Sequence, residues 1–117
     1  METFYALDGD SVGRKLEYLV MNNDEEKIIE YSKLISSAVD EVVIALKACG
    51  CKIIFYGGDS ILAKNQIPIN IDSIPRKFNG TTFSLGIGNS PLLSMLALKK
   101  AKATNPGGYV EQKGEDL

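Results

Sequence analysis

Asp8 and Asp59 stand where acids serve chemistry better than packing. Asp8 follows the short apolar and aromatic run Phe4–Leu7 and opens Asp8-Gly9-Asp10, while Asp59 closes Gly57-Gly58-Asp59 between the runs Cys51–Tyr56 and Ser60–Lys64. Carboxylates brought close together repel unless something positive lies between them, and Mg²⁺ is typically held by one or two carboxylates together with substrate phosphates. If the fold makes the two acids neighbours, a metal-bound triphosphate is the expected occupant. Asp10 would share the face of Asp8 if the strand continued. It either shapes the loop or serves as a third acid.

Beyond Asp10 the chain enters a helical pattern through Ser11, Val12 and Gly13. The first turn of a helix leaves N–H groups unpaired at the positive end of its dipole, which suits phosphate. Gly13 either admits a phosphate to the backbone or serves packing. Asp-Gly-Asp and Gly-Gly-Asp-Ser are each also ordinary turns. Their order, about fifty residues apart with helical sequence between two apolar strands, is what a palm-type site at the ends of neighbouring strands requires.

What the sequence lacks narrows the chemistry further. There is no histidine among the 117 residues, which removes Ser-His-Asp and Cys-His triads, histidine bases and nearly all zinc catalysis. Cys49 and Cys51 are spaced for neither a metal tetrad nor a disulfide framework, and are read as buried small hydrophobes. With 13 Lys+Arg against 15 Asp+Glu, a formal charge of -2, no broad basic surface suits a long nucleic acid. No apolar run approaches the ~20 residues that span a bilayer. A cytoplasmic location with no membrane partner is expected.

The elements that must position the acids follow from periodicity. Strands are predicted at Phe4–Leu7, Cys51–Tyr56, Ser60–Lys64 and Thr82–Ile87, with a weak one near Tyr109–Glu111. Helices are predicted from Ser11 to about Met21, from Asp24 to Ala48 on an apolar stripe ended by Gly50, and from Pro91 to about Thr104. Asn65 to Gly80, with Pro68 and Pro75, reads as a connection around a possible short helix. The last helix turns Ser94, Ala97, Leu98 and Ala101 to one side and Leu92 and Leu96 nearly opposite, so those leucines need cover from the connection or from another subunit. The fold class expected is α+β, an antiparallel sheet with helices on one face in the order βααββαβ, as in ferredoxin-like and polymerase-palm domains.

Tyr5-Ala-Leu-Asp-Gly-Asp-Ser-Val-Gly13 and Phe55-Tyr-Gly-Gly-Asp-Ser60 resemble the DGDxxG and GGDD motifs in the palm of the polymerase subunit of type III CRISPR complexes. A stand-alone palm of this length is similar to the minimal CRISPR polymerases. The likeness extends to GGDEF cyclases through Phe83-Ser-Leu-Gly-Ile87 and Ala97-Leu-Lys-Lys-Ala-Lys102. It covers most of the chain and implies that residues 1–117 form a single nucleotidyl-cyclase palm domain.

The resemblance implies roles residue by residue. Asp8 and Asp59 are the catalytic, metal-binding acids, and Gly9 lends its carbonyl to a metal. Asp10, Ser11, Val12, Gly13, Gly57, Gly58 and Ser60 border the nucleotide, the loop at 11–13 holding the β- and γ-phosphates. Lys102 contacts the triphosphate, and Lys99 is a second, weaker match one turn earlier. The implied cofactor is Mg²⁺ or Mn²⁺, two per site, and the implied activity is condensation of NTPs, foremost ATP, into a cyclic di- or oligonucleotide second messenger with release of pyrophosphate. A homodimer, a separate effector for the product and a role in antiphage defence go with it. Three positions depart from the pattern. Ser60 replaces the second acid, Asn105-Pro106-Gly107 lacks the arginine that GGDEF proteins carry, and Leu16 replaces their guanine-reading asparagine, which disfavours GTP. The rival readings are a degenerate palm that senses a nucleotide without turnover, for which Ser60 speaks, and an interaction module with ordinary turns at both motifs.

Overall fold

A computed structural model describes residues 2–112 and Gly114. Strand β1 (Thr3–Gly9) leads through a short loop into α1 (Val12–Met21), and α2 (Glu25–Ala48) follows. The Asp24 carboxylate caps α2 by accepting from the Lys27 N–H, and Gly50, at φ 87°, turns the chain out of it. Next come β2 (Lys52–Gly57), β3 (Ser60–Asn65), a 3-10 turn (Ile71–Ser73) and β4 (Lys77–Phe78). Strand β5 (Thr81–Gly88), helix α3 (Pro91–Thr104) and β6 (Tyr109–Gln112) complete the described chain.

The sheet runs β2-β3-β1-β5-β4, with β6 also on β5. All neighbours are antiparallel except β5 and β6. The mixed α+β palm is therefore as expected, with corrections to its wiring. The observed order, βααββββαβ, has two strands more than βααββαβ. Of the six strands only β4 falls outside the five segments that periodicity marks as strands, and at two residues it is too short to show a period. The sheet is mostly rather than wholly antiparallel, because β5 and β6 are joined through α3, and a helical crossover returns a strand parallel to the one it left.

The helices also do not share one face. Side chains along a strand alternate between faces. Tyr5 and Leu7 of β1, Ile61 and Ala63 of β3, and Phe83, Leu85 and Ile87 of β5 join one apolar cluster with Tyr31, Ile35, Val39, Val42 and Leu46 of α2. Ala6 and Leu62, on the other face, pack with Leu98 of α3. Small residues make that second face flat enough for a helix to lie directly on it. A Cβ built on Gly86 would fall 2.2 Å from both the Leu98 N and the Ser94 O, backbone atoms of α3. The sheet is thus the middle layer, with α1 and α2 on one side and α3 on the other.

Ser94, Ala97, Leu98 and Ala101 are the buried side of α3, as its pattern predicts. The connection after β3 packs Ile69, Ile71, Ile74 and Phe78 into the α2 cluster, on the face away from α3. It therefore leaves Leu92 and Leu96 uncovered, at 64% and 36% exposure. Cys51 is buried and Cys49 half-buried, neither in a disulfide. No helix among the described residues is long and apolar enough to cross a membrane.

Candidate active site

Asp8 lies near the end of the central strand, paired in register with Ser60 on β3 and Ser84 on β5. Ser60 Oγ donates to Asp8 Oδ1 at 3.0 Å, and Lys102 Nζ forms an ion pair with Asp8 Oδ2 at 3.1 Å. The same ammonium donates to the Gly9 carbonyl at 2.8 Å. Gly9 N–H in turn donates to the Asp59 carbonyl at 3.1 Å, tying the end of β1 to the hairpin between β2 and β3. That hairpin turns through Gly58 at φ 57°, a conformation that costs a glycine little.

The Asp59 carboxylate folds back over Gly9. A Cβ at Gly9 would come within 2.6 Å of Val12 Cγ2 and 3.1 Å of Asp59 Oδ2, so only glycine fits beneath the acid. Burial pushes the Asp59 carboxyl above the usual carboxylate range, and the neighbouring Asp8 charge pushes it further, while Lys102 opposes both. The two acids are thus neighbours that strain against each other's charge, at a backbone carbonyl and beside an ammonium.

This donor set fits a hard divalent cation. Carboxylate and carbonyl oxygens are the ligands that Mg²⁺ and Mn²⁺ prefer. Lys102 shows that Asp8 and the Gly9 carbonyl already accept a cation together. No cluster of three or more His, Cys, Asp or Glu that could hold a metal occurs among the described residues, so the coordination would have to be completed by phosphate and water oxygens.

Asp10 points elsewhere. Its Oδ2 accepts from Thr82 Oγ1 and its Oδ1 from Ser84 Oγ, both at 2.6 Å, and its N–H donates to the Thr82 carbonyl at 2.8 Å. Ser84 is fully buried, and its oxygen also accepts from the Gly107 N–H. Of the two roles open to Asp10, this geometry is that of a loop-shaping residue, clamping the β1–α1 loop to β5 and to the turn after α3.

Ser11 sits at the start of α1 in the left-handed region, φ 58° and ψ 23°, and its side chain caps nothing. The N–H groups of the first turn are left without a side-chain acceptor. Val12 is buried and can offer a ligand only its backbone. Gly13 has open space where a Cβ would stand, as do Gly57 and Gly58, so packing does not explain it. Lys99 is exposed on α3 and takes no part in the Lys102 contacts.

A groove of about 290 Å³ opens beside Asp59. Val12, Leu16 and Ile35 give it apolar surface, Ser32 and Ser36 give it hydroxyls one turn apart on α2, and Gly13, Gly58 and Asp59 join it to the acids. Sequence reasoning missed the two serines. The available signal is their i, i+4 spacing in the interior of a long helix, where serine is a mediocre former.

A family model described as the minimal CRISPR polymerase domain matches residues 4–111. No curated protein matches the chain. Among solved structures it is similar to a diguanylate cyclase/phosphodiesterase from Caldicellulosiruptor saccharolyticus, with a TM-score of 0.54 and 21% identity over 97% of this chain and 76% of that one. At that identity the likeness is one of fold.

Proposed function

Because the chain belongs to the minimal CRISPR polymerase family, a polymerase- and cyclase-like palm, we propose that it condenses nucleoside triphosphates, with ATP as substrate, into a cyclic di- or oligonucleotide. The observation that carries the reading is the meeting of Asp8, Asp59 and the Gly9 carbonyl beside the Lys102 ammonium. A ribose hydroxyl oxygen attacks the α-phosphorus of a second nucleotide, the bond to the β-phosphate breaks, pyrophosphate leaves and the hydroxyl proton passes to solvent. Two divalent ions, Mg²⁺ or Mn²⁺, held by Asp8, Asp59 and the Gly9 carbonyl, would supply the charge that acidifies the hydroxyl and steadies the leaving pyrophosphate. The chain itself positions the triphosphate: amides at residues 11–13 meet the β- and γ-phosphates and Lys102 neutralises the terminal one.

The groove supports adenine. Serine hydroxyls both donate and accept, which suits the donor and acceptor edge of adenine, whereas the paired N–H groups of guanine favour a carboxylate. Asp59 is the sole carboxylate lining the groove, and it is assigned to metal; Leu16 adds only apolar contact. The active species in this reading is a homodimer, since closing a cyclic dinucleotide requires each hydroxyl to reach the α-phosphate of the other nucleotide across a twofold axis. The uncovered Leu92 and Leu96 offer apolar surface for such contact. The product would act through a separate effector, in antiphage defence.

Incubating the protein with each NTP and Mg²⁺ or Mn²⁺, then separating products by chromatography and mass spectrometry, tests the proposal. A cyclic adenylate that disappears in Asp8→Ala and Asp59→Ala is expected, and absence of any pyrophosphate-releasing product would refute it. One observation favours a second reading. Ser60, where the family pattern has an acid, spends its hydroxyl on Asp8, and a palm so weakened would bind nucleotide without turnover. Tight ATP binding with no product would select that sensor.

A further inference from the structure

The Lys102 ammonium touches two of the three groups assigned above to a divalent cation. It lies 2.8 Å from the Gly9 carbonyl and 3.1 Å from Asp8 Oδ2, while the remaining Asp8 oxygen accepts from Ser60. We infer that Lys102 is a built-in placeholder: in the nucleotide-free protein its ammonium occupies the cation position on Asp8 and Gly9, so that divalent metal and triphosphate load together rather than metal first. The inference rests on the metal reading of Asp8, Gly9 and Asp59 and adds a mode of regulation to that site.

The physical argument is one of competition for acceptors. A metal ion arriving alone must strip the ammonium from two oxygens, and then leaves it unpaired beside a new double positive charge. A metal ion arriving with a triphosphate brings the acceptor that the displaced ammonium needs. Lys102 can make that exchange because its anchor is fixed and its tip is not. Ala101, beside it on α3, is fully buried against the sheet, whereas the Lys102 side chain is 31% exposed and has a flexible four-carbon stem. The ammonium therefore pivots between carboxylate and terminal phosphate while the helix stays still. Free metal alone would then load the empty site poorly, and nucleotide and metal would each strengthen the binding of the other.

Mn²⁺ binding without nucleotide, followed by the paramagnetic resonance signal of the free ion, reads this directly. Lys102→Met is expected to bind Mn²⁺ roughly 20-fold more tightly than wild type or better, the low end of what breaking a partly exposed ion pair and one charged hydrogen bond together sets. Lys100→Met removes the same charge from an exposed position of the same helix and should leave Mn²⁺ affinity within about twofold, since exposed charges are screened over that separation. With an unreactive α,β-methylene analogue of ATP present, the order should reverse and wild type should bind Mn²⁺ the better. Equal tightening in both variants, or none in Lys102→Met, overturns the placeholder while leaving the metal site standing. In wild type, lysine-amine NMR during a Mg²⁺ titration should show the Lys102 signal moving as the metal binds; a metal that binds without moving it also overturns the inference. No Mn²⁺ binding by any variant, with or without the analogue, refutes the underlying metal site itself.

Discussion

Replacing Asp10 with alanine removes the acceptor of two 2.6 Å hydrogen bonds, from Thr82 Oγ1 and Ser84 Oγ. The losses are unequal. Thr82 is only partly buried and can turn its hydroxyl to water, whereas Ser84 is fully buried and already uses its oxygen to accept from the Gly107 N–H. A hydrogen bond to a charged group contributes about 1.5–3 kcal/mol and a buried donor left unsatisfied costs about 1–3 kcal/mol. Counting Ser84 in full and Thr82 at the low end gives a loss of about 2–4 kcal/mol. With a urea slope of roughly 2 kcal/mol per molar, the middle of the usual range for small domains, the unfolding midpoint should fall by about 1–2 M. Asp10→Asn keeps one acceptor oxygen and should lose about half as much. Urea titration followed by far-UV circular dichroism measures the midpoint, and turnover at a temperature where each variant stays folded measures function. Turnover should fall far less than in Asp8→Ala, because Asp10 holds the loop without touching the substrate. An unmoved midpoint with abolished turnover would show that Asp10 acts on the ligand, and would refute the clamp.

The raised pKa of Asp59 makes its ionised form the disfavoured one in the folded state. The native chain then holds this proton more tightly than the unfolded chain, so stability falls as pH rises from the ordinary value of 3.8 through the folded pKa. Asp59→Asn should remove that decline and be the more stable protein at neutral pH without metal; thermal melts in chelator from about pH 4 to 7 check it, and a less stable variant throughout contradicts it. Gly86→Ala should cost more than about 3 kcal/mol, since the new methyl meets α3 backbone atoms that cannot turn aside; a melt close to wild type would mean that α3 sits less firmly on the sheet. Specific activity should drop on dilution through the dimer dissociation constant, and sedimentation of Leu92→Glu should show weaker self-association; a monomer with a concentration-independent rate would end the dimer reading.

The acids and the strands beneath them were legible because their signals are local. An apolar run ending in Asp-Gly-Asp and a Gly-Gly-Asp turn between two apolar runs mark the end of β1 and the β2–β3 hairpin locally, and the pairing of the two motifs, about fifty residues apart, singles out Asp8 and Asp59 as candidates. The stripe on α2 and the Gly50 stop are equally local. The side of the sheet that α3 covers was not legible. Ser94, Ala97, Leu98 and Ala101 tell which side of the helix is buried, but only the small residues Ala6, Gly86 and Gly88, read together across two strands, show which face of the sheet receives it. The role of Asp10 was hidden for the same reason, because its partners lie 72 and 74 residues away. Ser32 and Ser36 offered nothing beyond their spacing, because the groove they line exists only where α1 lies across α2.

Those long separations bear on how the protein comes into being. Asp8 meets Ser60 across 52 residues and Gly9 meets Lys102 across 93. At ribosomal speeds of roughly 5–20 residues per second, about 5–20 s pass between synthesis of the first acid and of the lysine that completes its surroundings. Until then the paired acids have no ammonium beside them, and the sheet that carries them lacks the helix that seals its second face. Contacts so distant in sequence also slow folding, because the loop entropy must be spent before they form. The site is therefore completed late in synthesis, and a ribosome-bound fragment that ends before α3 lacks the lysine to which the proposed function assigns the terminal phosphate.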